Sequence, residues 1–154
     1  MRVTKYLGEQ IFFHATNVDA AVSIMDSKQF RPGRSGLFGA GIYFADSIYY
    51  CFRKSANGTD AVIMCRVNAG TALVIEGSSP QMNINYLKQI NCQSVQGRYQ
   101  SSSGWEYIVY EQDRVTPLNA IMPPNISQIQ NTSLARSHNL ANNGNIIFHF
   151  SVVP

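Results

Sequence analysis

Three stretches of this chain carry side chains that can do chemistry at a definite spacing: Phe13-His14-Ala15-Thr16, Phe38-Gly39-Ala40-Gly41-Ile42-Tyr43-Phe44-Ala45-Asp46, and Glu106-Tyr107-Ile108-Val109-Tyr110. A carboxylate such as Glu106 can stabilise positive charge developing beside it or polarise a hydroxyl group. An imidazole such as His14 can hold a hydroxyl in place, and Tyr43 offers an aromatic face to a flat ring. Taken singly, each has a plainer role as a hydrogen-bonded core histidine, a packed aromatic or a strand-edge charge. Their joint occurrence in this order makes the chemical reading the stronger one. Gly33, Gly36, Gly39 and Gly41 form neither G-x-G-x-x-G between a strand and a helix nor a Walker A motif, so a Rossmann or P-loop phosphate site is not supported.

The flanking sequence supplies the elements that must position these groups. Residues 10–14, with β-favouring Ile11, Phe12 and Phe13, read as a buried strand delivering His14 at its end. Asn17 reads as a helix cap, and Val18, Ala21, Val22 and Met25 recur at helical spacing, predicting an amphipathic helix over 18–27 with that face inward. The stretch around Pro32, Gly33 and Gly36 has loop chemistry. Asp46 offers a carboxylate cap to a short helix through Tyr49, Tyr50 and Cys51 that ends before Asn57-Gly58. Residues 61–67 and 72–75 read as strands with a tight connection at Ala69-Gly70, and 105–111 as the central strand. Residues 77–104 read as surface loop around one helical stretch near Tyr86-Leu87, and 146–152 as an added edge strand behind an Asn-rich loop. Runs of strands with helices inserted early predict an α+β fold with antiparallel pairing.

In order and context the three motifs resemble the catalytic domain of the poly(ADP-ribose) polymerase family, the diphtheria-toxin-like ADP-ribosyltransferases marked by a His-Tyr-Glu triad. That family writes them as H-G-[ST], F-G-x-G-I-Y-F-A-[DE] and E-Y-[IV]-[VI]-Y. Ser94-Val95-Gln96-Gly97-Arg98 is similar to the tankyrase branch. The resemblance covers residues 11 to about 122, which sets a catalytic domain at 1–122 and a C-terminal extension at 123–154. It implies an ADP-ribosyltransferase fold of two small packed, mainly antiparallel sheets with a few peripheral helices, using NAD as substrate and no metal.

The resemblance also implies roles. NAD is cleaved between nicotinamide and ribose through an oxocarbenium-like state, with His14, Tyr43 and Glu106 as the catalytic set. Glu106 would bind the 2′-hydroxyl of the nicotinamide ribose and stabilise the cation, while His14 would clamp a ribose hydroxyl of the adenosine half. Tyr43 would stack on nicotinamide, the backbone of Ala15 would bind its carboxamide where the family has Gly, and Thr16 would add a hydroxyl to the ribose contact. Ser47-Ile48-Tyr49-Tyr50 matches the family's S-x-x-Y unit if about one turn has been deleted, making Ser47 the carboxamide donor and Tyr50 the second stacking ring, with Tyr49 as the alternative to Tyr50. Arg31 would reach the adenosine side, and Arg34 lies in the covering loop.

The departures bear on what is transferred. A short covering loop over 31–37, a modest acceptor surface over 75–105 and the loss of the family's Lys near the carboxamide Ser favour transfer of one ADP-ribose over polymer synthesis. No regulatory helical domain precedes the motifs, so activity is expected without a DNA break. A non-catalytic NAD or ADP-ribose binding module, or an NAD glycohydrolase in which water replaces the acceptor, stays open as an alternative. The arginine-specific toxin group is disfavoured because Glu106-Tyr107-Ile108 holds a single Glu rather than an E-x-E pair, and the RNA 2′-phosphotransferases because Arg66, Arg98 and Arg114 form no persuasive set.

Composition by itself points to no macromolecular partner and excludes several classes. At 154 residues the chain suits one domain with its own core. Its charged fraction is 14%, and a net charge of +3 forms no basic stripe of the kind that binds nucleic acid. Cys51, Cys65 and Cys92 fit no metal or C-x-x-C pattern, and no apolar stretch is long enough to span a bilayer. The expectation is a soluble, intracellular monomer with reduced thiols, no membrane contact, and NAD and an unidentified acceptor as partners. The acceptor is expected among proteins, nucleic acids or small molecules.

Overall fold

The computed structural model describes residues 2–54, 61–101 and 103–122. Its elements in chain order are β1 (Val3–Thr16), α1 (Val18–Ser27), β2 (Ile42–Phe44), α2 (Ile48–Lys54), β3 (Ala61–Glu76), α3 (Ile84–Gln89), β4 (Ser94–Arg98), β5 (Glu106–Val109) and β6 (Val115–Ile121). The strand expected over 146–152 and the whole extension over 123–154 lie outside the described residues.

The local signals explain most of these boundaries. The Asn17 side chain accepts a hydrogen bond from the Ala20 amide at 2.8 Å, and α1 ends at Lys28 in the left-handed region, where its amide donates to the Ile24 carbonyl. The buried face of α1 is narrower than expected: Ala21 and Met25 are buried, while Val22 is exposed. The cap position of helix α2 belongs to Ser47, whose hydroxyl accepts from the Tyr50 amide at 3.1 Å, and not to the expected Asp46. A helix beginning at Ile48 puts its cap one residue before that start, so Asp46 stands one position too early. Helix α3 forms where expected, with the Asn83 side chain accepting from the Tyr86 amide.

The α+β class holds, and the strands pair in a different way from the expected two small sheets. Five of them follow one hydrogen-bonded path, β1-β3-β4-β5-β2, with β6 pairing with β3. Strands β3 and β4 pair in parallel and β4 and β5 antiparallel, making the sheet mixed. The parallel pair follows from the chain between β3 and β4, which carries α3 and is long enough for a crossover. The expected tight connection at Ala69-Gly70 is absent: β3 is continuous, and Gly70 takes φ +56° inside it. Glycine tolerates that torsion, so the strand takes up the irregularity without ending. Strand β4 lies within the stretch read as loop, where one Gly and three polar residues hid its alternation. Strand β5 lies between β4 and β2, so its expected interior place holds.

The chain divides into two compact units. Of the described residues, the first takes 2–10, 30–43 and 67–115, and the second 11–29, 44–54, 61–66 and 116–122. In the first unit Phe38, Leu73, Leu87, Cys92, Val95, Ile108 and Tyr110 form one buried cluster. In the second, Phe12, Phe13, Ala21, Phe44, Ile48 and residues 61–65 are buried, and the Phe12 and Phe44 rings stand 6.2 Å apart at their centroids. All three cysteines are buried and outside any disulfide among the described residues. Burial holds the Cys65 thiol well above its usual pKa, with Cys51 adding to the effect, which keeps it a poor nucleophile. No helix among the described residues is long and apolar enough to cross a membrane.

Candidate active site

The glycine-rich motif builds a rigid mount for Tyr43 in the first unit. Residues 33–41 close on themselves where the Gly33 amide donates to the Gly41 carbonyl at 2.9 Å, and the Ser79 amide donates to the Leu37 carbonyl at 2.7 Å. Phe38 then inserts fully into the core. The half-buried Tyr43 closes the arrangement with its hydroxyl, which accepts from the Phe38 amide at 2.9 Å and donates to the Gly39 carbonyl at 2.6 Å. Burial raises the Tyr43 phenol above its usual pKa; the Phe38 amide opposes this and the charge of Glu106 adds to it. The hydroxyl therefore stays protonated at neutral pH and holds the loop through both of these bonds.

This explains why position 43 is Tyr and not Phe. In Tyr43→Phe the Phe38 amide and the Gly39 carbonyl both lose a partner at a half-buried position, a loss of about 1–3 kcal/mol. The expected result is a melting temperature lower by several degrees, on the order of 3–10 °C, with turnover reduced but present because the ring remains. Thermal unfolding and steady-state rates on the same preparation check this.

Glu106 opens β5, next to β2, which carries Tyr43. Its register partner on β4 is Gly97, followed by Gln96↔Tyr107 and Val95↔Ile108. Cross-strand partners share a face, so Glu106, Gly97, Val95 and Ile108 lie on the side of the sheet that receives Phe38. The approach is tight: a Cβ on Gly97 would run into the Phe38 ring, and one on Gly41 into Ile108 and Tyr110. The buried Tyr110 hydroxyl donates to the Phe38 carbonyl, so Phe38 is gripped through its ring, its amide and its carbonyl. Burial pushes the Tyr110 phenol far up, keeping it a donor.

In the second unit, His14, Ala15 and Thr16 end β1, all half-buried. Phe13 and Ala45 pair as an antiparallel bridge, with amide-to-carbonyl bonds of 2.9 and 2.8 Å, which sets the end of β1 beside the residues that follow β2. The His14 ring meets the Phe44 ring edge-on, 5.7 Å between centroids at 60°. Ser47 is fully buried, and its hydroxyl, which accepts from the Tyr50 amide, keeps its own proton to donate. Tyr49 and Tyr50 are half-buried with ring centroids 5.8 Å apart.

Of the expected site residues, the structure brings Tyr43 and Glu106 together in the first unit. His14, Ala15, Thr16, Ser47 and Tyr50 belong to the second. Arg31 and Arg34 are exposed, in the first unit. Sequence reasoning missed the groups packed around Tyr43 and Glu106: Gly97, the register partner of Glu106, and Tyr110, whose hydroxyl donates to the Phe38 carbonyl. The signal for the first was a glycine inside Ser94-Val95-Gln96-Gly97-Arg98, obscured once that stretch had been read as loop. No group of three or more His, Cys, Asp or Glu side chains suited to a metal ion occurs among the described residues.

A family model for the poly(ADP-ribose) polymerase catalytic domain matches residues 3–150. No curated protein matches the chain. The match spans nearly the whole length and contains every motif whose geometry is given above. That domain acts on NAD as an ADP-ribosyltransferase, and a carboxylate coupled to a rigidly mounted tyrosine suits such chemistry. The chain belongs to the poly(ADP-ribose) polymerase catalytic domain family.

Proposed function

We propose that this protein cleaves the nicotinamide–ribose bond of NAD and transfers a single ADP-ribose unit to an acceptor. The observation that carries the reading is the placement of Glu106 and Tyr43 on neighbouring strands, close enough for the Glu106 charge to bear on the phenol. In the reaction the C1′–N bond breaks and its electron pair leaves with nicotinamide. The oxocarbenium ion is stabilised by Glu106 through the ribose 2′-hydroxyl. An acceptor oxygen or nitrogen then bonds to C1′, and its proton passes to Glu106 or to water.

The remaining residues bind and orient. Tyr43 and Tyr50 stack on nicotinamide, while the Ser47 hydroxyl donates to the carboxamide and the Ala15 backbone completes its binding. His14 and Thr16 hold ribose hydroxyls, and Arg31 meets the adenosine side. Capping α2 supports this role for Ser47, because the cap uses an oxygen lone pair and leaves the proton. A single-unit product is favoured by the short connections around the site: β4 and β5 are joined by residues 99–105 alone, a small surface with which to grip a growing polymer.

The test is product analysis with NAD labelled in the adenylate. With mixed protein and nucleic-acid acceptors, the expected result is free nicotinamide together with label on a macromolecule, and AMP from that label on phosphodiesterase digestion. Phosphoribosyl-AMP would mark internal polymer units and overturn the single-unit reading. Free ADP-ribose as the sole product would make the protein a glycohydrolase, and binding without nicotinamide release would leave a binding module.

A further inference from the structure

Glu106 is held from behind. In the β4–β5 register Gly97 faces Glu106, so the next residues outward, Arg98 and Trp105, face each other on the opposite side of the sheet. They touch: the Arg98 guanidinium lies over the Trp105 ring, 4.1 Å from its centroid. On the other flank, Glu76 of β3 is the parallel register partner of Arg98. Its carboxylate oxygen Oε1 accepts from Arg98 Nε and Nη2, both at 2.7 Å. The third guanidinium nitrogen, Nη1, donates to the Ser101 carbonyl at 3.2 Å, and the Arg98 carbonyl accepts from the Gly77 amide at 2.9 Å. A row of three side chains, Glu76, Arg98 and Trp105, thus ties three strands together at the end where β5 begins.

We propose that this row sets the position of Glu106, with Arg98 as its positioning residue. Glu106 is the first residue of β5 and the partner of Gly97 at the end of the β4–β5 register, so what fixes the residue before it also fixes where the strand starts. Trp105 is the residue immediately before, and the planar guanidinium reaches it, the β3 carboxylate and the connecting loop together. A lysine in its place keeps the charge opposite Glu76 and loses the planar stack and the third donor. The row faces away from Glu106, which leaves the catalytic face unencumbered. The inference rests on the reading of Glu106 as the catalytic carboxylate.

The full chain is tested as Arg98→Ala, Arg98→Lys, Trp105→Ala and Arg98→Ala/Trp105→Ala, with nicotinamide release from NAD, NAD binding and thermal unfolding measured on each. Trp105 is the only tryptophan in the sequence, so its emission reports the stack directly. The expected result for Arg98→Ala is an altered Trp105 emission and a kcat lower on the order of 10- to 100-fold. KM and NAD affinity should stay within about twofold, because Glu106 supplies one of many ground-state contacts and its charge matters most once the ribose ring becomes cationic. Arg98→Lys should fall between, and the double variant should be no slower than either single one. An unchanged emission, a kcat within about twofold of the parent, or losses in kcat and NAD affinity that only follow a drop in thermal stability would each overturn the proposal. Glu106→Gln, run alongside, separates the two readings: if it releases nicotinamide at the parent rate, the assignment of Glu106 has failed and not merely its support.

Discussion

Glu106→Gln leaves the protein folded and binding NAD, and lowers nicotinamide release on the order of 100- to 10,000-fold. The exchange keeps the size, the planar head and a hydrogen-bond acceptor, so the contact with a ribose hydroxyl survives in weaker form. What disappears is the negative charge, and charge matters only once the ribose ring becomes cationic. The loss therefore falls on kcat while the binding constant for NAD changes little. A second reading on the same variant concerns Tyr43. Burial is the largest cause of its raised pKa and the Glu106 charge a smaller one, so in the variant the phenol moves down without returning to its ordinary value. Spectroscopic titration above pH 10 follows that shift. Parent-like turnover in the variant would remove Glu106 from the mechanism.

The sequence carried the local structure well where a single side chain decides it. Asn17 and the apolar spacing behind it specify α1, and the β-favouring run after Gln10 specifies the buried end of β1. It carried less where the decision belongs to pairing. Residues 94–98 become a strand because β3 and β5 flank them, and no alternation within Ser94-Val95-Gln96-Gly97-Arg98 announces it. Gly70 looked like a turn because glycine permits one, and the ladders on β3 kept the strand going through it. Asp46 and Ser47 are both good caps, and only the true start of α2 separates them.

The site divides along the same line. Tyr43 and Glu106 were legible because their motifs are long, and the bearing of the Glu106 charge on the Tyr43 phenol within the first unit agrees with a shared task. That the Tyr43 hydroxyl would be spent on Phe38 and Gly39 was not legible, since both bonds depend on how the loop folds back. Arg98 lies in the stretch that reads as surface loop. Its partners lie on β3 and ahead of β5, and only the two registers bring Glu76 and Trp105 to it.

Gly97→Ala is expected to damage stability and turnover together. The added methyl would occupy the space of the Phe38 ring, with three ring atoms in the way and a fully buried side chain that has nowhere to retreat. Overpacking of this kind costs about 1–3 kcal/mol, a fall in melting temperature on the order of 3–10 °C. The displacement does not stop at the ring. The Phe38 amide donates to the Tyr43 hydroxyl and the Phe38 carbonyl accepts from Tyr110, so a shifted Phe38 carries the mount of Tyr43 with it. Gly97 is also the partner of Glu106 in the ladder, which puts both residues of the coupled pair downstream of one methyl group. The cause is checked by relief: Phe38→Leu on its own opens a cavity, yet combined with Gly97→Ala it should recover part of the melting temperature because each change makes room for the other. If the double variant is merely the sum of the two single losses, the contact between Gly97 and Phe38 does not limit the site, and another reason for the glycine in β4 is required.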